Sequence, residues 1–309
     1  KEKNLPALER AVDQLDREDE EQPQAIFFHA ALLKEEGLLE KATGRLVYLL
    51  DQYPQFVRKS EALFELVELE YQTRHWKSCR SYAEQFIAAA PAHNDVSAAW
   101  RYLIAASTQL SEESSLDQYN LRQQLIHDLE TALAESDLFA LEEKLEWQFL
   151  LAKVCYEVHD YPRAHQSIEA LLQHGTFPQL ANTYLLKALL HKDESLEQFC
   201  QYAEKAIALK ADLIDTVKLH IALFNAYLER AHDEPNLTQE AAGHLFTAFI
   251  LGGTLQPENL DWLANYYYDQ AEVAIFAADR AIQLFEECEQ TRVNIYKLAE
   301  LYASRLQSR

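Results

Sequence analysis

Apolar residues recur at three- and four-residue intervals from one end of the chain to the other. That is the spacing of a buried helix face, and no stretch alternates with the period of two expected of a half-buried strand. In Ile26-Phe27-Phe28-His29-Ala30-Ala31-Leu32-Leu33 the stripe is dense, and Leu46, Leu49 and Leu50 continue it in the next segment. All eight prolines (Pro6, Pro23, Pro54, Pro91, Pro162, Pro178, Pro235 and Pro257) stand where helices should start or stop. Asn94 or Asp95 is expected to cap the helix through Trp100, and Asp160 the one with Pro162 near its first turn. The pattern predicts about fourteen or fifteen helices of roughly 12–20 residues, joined by loops of about 2–6. The acidic run Asp16-Arg17-Glu18-Asp19-Glu20-Glu21 reads as a solvated linker, and Ser111-Glu112-Glu113-Ser114-Ser115 as a second polar interruption.

So many helices with short connections suggest a repeat, and three stretches align on a small residue: Ala42, Cys79 and Ala164. Twelve residues later stand Pro54, Pro91 and Thr176, the last with Pro178 two places on. Twelve residues earlier stand Ala30, Val67 and Ala152, and fifteen earlier Phe27, Phe64 and Phe149. Trp76 and Tyr161 precede the small residue by three in two of the stretches. This pattern resembles the tetratricopeptide repeat (TPR), a unit of about 34 residues folded as two antiparallel helices with small residues at their crossing. The match is strongest over 25–92 and 144–178 and weaker over 180–211 and 255–289; 95–136 departs from it, with a second helix, Leu116–Ser136, too long for a standard repeat.

The resemblance implies an all-α fold, a right-handed superhelical solenoid of about seven antiparallel helix pairs. The expected organisation is an N-terminal helix and acidic linker over 1–23, a TPR-like domain over 24–289, irregular around 95–136, and a capping helix with a polar outer face over 290–309. A narrower likeness covers about 40–110: Leu49-Leu50-Asp51-Gln52-Tyr53-Pro54, Trp76, Tyr82-Ala83-Glu84-Gln85-Phe86-Ile87 and Pro91-Ala92-His93 are similar to bacterial envelope TPR scaffolds. These are of the barrel-assembly lipoprotein and cell-wall coordinator type. That likeness implies a periplasmic or envelope-associated protein, and a chain opening on Lys1 fits a processed one.

Composition narrows the chemistry. Fifty acidic against 28 basic side chains leave a net charge of −22, which argues against nucleic acid and anionic lipid as partners. Phe86–Pro91 and Phe246–Leu251 are typical of the longest apolar runs, far short of the roughly 20 residues of a membrane span. Six glycines leave no phosphate-binding loop and no nucleophile elbow, and suggest that few turns need positive φ. The chain contains no methionine. Cys79, Cys155, Cys200 and Cys288 form no C-x-x-C pair and read as small buried hydrophobes, and His159 and His165 straddle a helix start. No cofactor and no metal are expected. Carboxylate pairs such as Glu142/Glu143, Asp193/Glu194 and Glu286/Glu287, with Trp76, Trp100, Trp147 and Trp262, leave an α/α toroidal carbohydrate enzyme as an alternative, which the short loops oppose.

The chain is therefore expected to be a non-enzymatic scaffold that binds one or more proteins. Its first helices would present a groove stripe at i, i+4, i+7: Phe27, Ala31 and Lys34; Phe64, Glu68 and Tyr71; Phe149, Lys153 and Tyr156. Aromatic residues interleaved with single charges suit a peptide segment or an amphipathic helix. No Asn accompanies Lys34 and Lys153, so a carboxylate clamp is not expected on that face. Tyr266-Tyr267-Tyr268 spans nearly 300° of a helix, so at least one ring must face solvent or a partner, which makes it a second candidate surface. Trp147 and Trp262 are expected to pack between units. A cytoplasmic adaptor or secretion chaperone is the rival reading.

Overall fold

The computed structural model describes residues 9–10, 12, 21–113, 117–210, 213–271 and 274–307, and among these the chain is helical with no strand. Among the described residues from Gln22 onwards fifteen α-helices follow in order, and residues 1–168 and 169–309 form two compact units. Unit 1 holds α1 (Gln22–Glu35), α2 (Leu39–Gln52), α3 (Lys59–Gln72), α4 (Trp76–Ala89), α5 (Val96–Glu113), α6 (Gln118–Ala134) and α7 (Leu141–Glu157); the boundary falls within α8 (Tyr161–Leu172). Unit 2 holds α9 (Leu180–His191), α10 (Leu196–Ala208), α11 (Leu213–Arg230), α12 (Leu237–Ile250), α13 (Pro257–Gln270), α14 (Ile275–Glu287) and α15 (Arg292–Gln307). Successive helices pack as hairpins: α1 with α2, α3 with α4 and α5 with α6 in unit 1, and α9 with α10, α11 with α12 and α13 with α14 in unit 2. Of the expected N-terminal segment, Glu9, Arg10 and Val12 are helical and Val12 is buried; residues 13–20, with most of the acidic run, lie outside the described residues. The long second helix expected over Leu116–Ser136 runs from Gln118 to Ala134. No helix among the described residues is long and apolar enough to cross a membrane.

The turns inside three hairpins are alike. Glu36-Gly37-Leu38, Thr73-Arg74-His75 and Val158-His159-Asp160 each place the central residue at positive φ: 76°, 61° and 62°. In each, the last N–H reaches back to the helix carbonyl five residues earlier: Leu38 to Leu33 at 2.9 Å, His75 to Glu70 at 2.9 Å, Asp160 to Cys155 at 2.9 Å. This left-handed helix end satisfies carbonyls that the helix leaves open. The scarcity of glycine therefore does not mean that few turns need positive φ. Arg74, His159 and Lys210 take that conformation without it. Asp160 also caps α8 as expected, accepting from the Arg163 N–H at 3.4 Å.

The small residues of the repeat pattern sit at the crossings. Ala42, Cys79, Ala164, Val67 and Ala152 are wholly buried, and the Cys79 thiol lies 3.6 Å from the Val67 carbonyl oxygen, bringing α4 onto α3. Burial raises the thiol pKa of Cys79 to about 12 and of Cys155 to about 11, so both stay protonated. In unit 2, Ala188, Ala203, Ala264 and Ala281 are equally buried, around a core that includes Phe199, Phe224 and Phe285. The last helix departs from expectation: Val293, Ile295, Tyr296 and Tyr302 are exposed on α15, so its outer side is not purely polar.

Candidate protein-binding surface

On α1 and α3 the predicted groove positions meet through charge. The Lys34 ammonium donates to Glu65 and Glu68, each at 2.5 Å. Burial works against that cation, yet the two carboxylates hold its pKa above the ordinary lysine value. Lys34 and Glu68 therefore neutralise each other across adjacent first helices.

Farther along the same face, Tyr71 packs edge-on against Tyr102 of α5 (4.9 Å between ring centroids) and Trp76 at the start of α4 (5.4 Å). Phe64 lies half-buried behind them, 6.2 Å from Tyr102 and 5.3 Å from Phe86. Tyr71 and Trp76 border a cleft of about 700 Å³ lined also by residues including Arg74, Ala105, Thr108 and Glu113. The Trp76 indole N–H donates to Glu113 at 3.0 Å, which fixes the ring at the rim. Burial, and Glu68 nearby, raise the Tyr102 pKa, so its phenol stays neutral. The cleft thus offers flat apolar rings with a cation, Arg74, and an anion, Glu113, at its edge. A short amphipathic segment could use both.

The α7 residues form a separate group. Phe149 and Tyr156 are half-buried, and Tyr156 lies 5.9 Å from the Tyr161 ring. Lys153 is exposed and 4.0 Å from Glu157, which Arg122 also grips at 2.9 Å. Arg101 ties α5 to α7 through a two-pronged bond to Glu143 at 2.6 and 3.1 Å.

One expectation for this face is corrected. Phe27 is buried, tilted against Phe56 at 5.9 Å with the Arg58 guanidinium 4.4 Å above its ring, and so supports the surface from beneath. Its neighbour Phe28 is the exposed ring. The sequence reading also missed Tyr102. The 37-residue step that carries Phe27 to Phe64 lands on Arg101, and Tyr102 instead stands 37 residues after Glu65, meeting Tyr71 as Glu65 meets Lys34.

At the second candidate surface the three tyrosines part ways. Tyr266 is half-buried and stacks on Trp262 at 5.7 Å. Tyr267 is buried at 4 % exposure, so it is a packing residue and not a surface anchor. Tyr268 donates to Glu300 at 2.5 Å, a bond that with burial raises its pKa to about 12, and Lys297 sits 4.7 Å over its ring. Trp147 is buried as expected, 4.6 Å from Phe139.

No protein-family model matches the chain, and no curated protein matches it. Among solved structures it is similar to a tetratricopeptide repeat protein from Parabacteroides merdae, at 13% identity over 91% of this chain and 98% of that one, TM-score 0.44. It is also similar to the C-terminal part of a TPR repeat-containing protein from Cytophaga hutchinsonii, at 14% identity over 88% and 99%, TM-score 0.48. A third is YrrB, described as a TPR protein with an unusual peptide-binding site, at 16% identity over 68% and 96%, TM-score 0.43.

Proposed function

We propose that this chain is a non-enzymatic interaction scaffold, and that the face formed by α1, α3 and α5 of unit 1 receives a short segment of a partner protein. The observation that carries this reading is the cleft of about 700 Å³ lined by Tyr71 and Trp76, with Tyr102 packed edge-on behind Tyr71. Flat rings already held by edge-on contacts lose little freedom when a partner side chain covers them, so burial is retained as affinity. Arg74 and Glu113 at the rim choose the partner's flanking charges and orientation. The mechanism is differential affinity alone. The likeness of 40–110 to bacterial envelope scaffolds extends the proposal to a partner in an envelope or secretion assembly.

The experiment places a photo-reactive benzoylphenylalanine at Gln72, which lines the cleft, and irradiates the protein in a bacterial envelope fraction. The cleft is then filled by Thr108→Trp in the same background. A discrete crosslinked protein, lost on filling and retained with a control Thr238→Trp in unit 2, supports the proposal. Crosslinks unchanged by filling, or none in any fraction, would reject this face as the binding site.

A further inference from the structure

We propose that unit 2 carries a recognition site for a carboxylate with an apolar group beside it, presented by a peptide segment, and that the Arg280 guanidinium is its anchor. The site is built from unit 2 residues and takes up the Tyr266–Tyr268 region from a different observation.

In a chain of net charge −22, arginines that leave bulk solvent should find carboxylates. They do: Arg45, Arg58, Arg80, Arg122, Arg230 and Arg305, the other arginines at least half-buried among the described residues, each meet an Asp or Glu. Arg280 is the exception. Among the described residues its one hydrogen bond runs from Nη1 to the Tyr267 phenol oxygen at 2.7 Å, and it has no carboxylate partner. Its charge rests instead on three aromatic faces: Phe246 at 4.3 Å, Tyr267 at 5.1 Å and Phe276 at 5.2 Å. Rings hold a guanidinium in place but leave its in-plane donors unsatisfied, and those donors match a carboxylate two by two.

The surroundings are shaped for such a group. Arg280 borders a cleft of about 500 Å³, lined also by Gly243, Tyr266, Gln270 and Phe276. Gly243 lies inside α12, where glycine costs about 0.5–1 kcal/mol relative to alanine. No neighbouring atom requires it, since a Cβ there would meet nothing within 4 Å. The Tyr267 phenol accepts from Arg280 and keeps its own proton to donate, because burial raises its pKa. Phe276, 60 % exposed, is an apolar wall beside the cation, suited to a side chain adjacent to the carboxylate. Glu240 also lines the cleft and disfavours an anion carrying more charge than a single carboxylate.

The test titrates the ¹⁵N-labelled full chain with N-acetylphenylalanine, its uncharged amide, and phenyl phosphate, following the Arg280 Nε–H resonance. We expect a saturable shift with the acid, affinity weaker by about tenfold or more with the amide, and loss of the shift response in Gly243→Leu, which fills the cleft and retains Arg280. Arg280→Gln should remove the acid–amide difference. Equal binding of acid and amide to the unsubstituted chain, no saturation at Arg280, or saturation by phenyl phosphate alone would each overturn the assignment, whatever the fold of the variants. Thr108→Trp in unit 1 should leave this titration unchanged, so its outcome is separate from that of the crosslinking experiment.

Discussion

Arg80 and Asp128, 48 residues apart in sequence, meet in the interior of unit 1 as a two-pronged ion pair at 2.9–3.1 Å. Ser107 completes the group, donating to Asp128 at 2.7 Å and accepting from Arg80 at 3.0 Å, so α4, α5 and α6 share one polar knot. All three are buried, and Arg80 also reaches Glu84 at 2.8 Å. Removing Asp128 leaves the buried Arg80 guanidinium with only the exposed Glu84 as its carboxylate partner. Asp128→Ala should destabilise the protein by about 3–5 kcal/mol, read from urea unfolding. Combining Arg80→Met, Ser107→Ala and Asp128→Leu should recover most of that loss, because an apolar replacement leaves no charge behind. If Asp128→Ala alone were harmless, the knot would contribute no net stability.

Stability should fall in mild acid through His220 and His244. Their Nδ1 atoms are 2.8 Å apart between α11 and α12, the Tyr227 ring stacks on His244, and Tyr227 donates to Glu204. One Nδ1 must carry a proton and the other must not. Burial, then the neighbouring His244, lowers the His220 pKa to about 4, and burial lowers that of His244, with Glu204 and Glu240 opposing. The unfolded chain takes up these protons near pH 6.5 and the folded chain only at lower pH. The contribution is therefore complete above about pH 6.5 and is lost as pH falls towards 4. His220→Gln should flatten this part of the pH profile of the melting temperature. A variant as acid-sensitive as the parent between pH 6.5 and 5 would exclude the pair as the cause.

The non-glycine turns hold avoidable strain. Arg74 is exposed at φ 61° in a three-residue turn like the one where Gly37 sits at 76°. A left-handed conformation costs a side-chain-bearing residue about 1–2 kcal/mol, so Arg74→Gly should raise stability by roughly 1 kcal/mol after the added freedom of the unfolded chain is subtracted. Thermal denaturation would show it directly; a lower midpoint would mean that the Arg74 side chain stabilises the turn.

Two glycines should respond in opposite directions to alanine. At Gly253 a Cβ would fall 2.6 Å from Val217 Cγ1 and 2.8 Å from the Ala248 carbonyl oxygen, and the backbone oxygen cannot move aside. Gly253→Ala should cost about 1–3 kcal/mol. Gly44 lies inside α2 with nothing within 4 Å, so Gly44→Ala should gain about 0.5–1 kcal/mol. Calorimetry on the two single variants is sufficient, and an equal sign for both would contradict the close approach of α11 to the end of α12.

Helices, their pairing order and their crossing residues were legible in the sequence because each rests on local rules. The 3.6-residue period marks the buried stripe, prolines mark the ends, and Ala42, Cys79 and Ala164 recur where two backbones must come close. The candidate surface was only half legible. The period puts Lys34, Glu68 and Tyr71 on one stripe, but periodicity gives an angle around one helix and not what the next hairpin lays over it. Tertiary structure alone buried Phe27 beneath Phe56 and Arg58, and Tyr267 beside Phe246 and Arg280. It also brought Lys34 to carboxylates 31 and 34 residues away, joined Arg80 to Asp128, and among the described residues gave Arg280 the Tyr267 phenol in place of a carboxylate. The reason is physical: helix formation is decided within a few turns of chain, whereas desolvation and charge pairing depend on side chains one repeat or more distant.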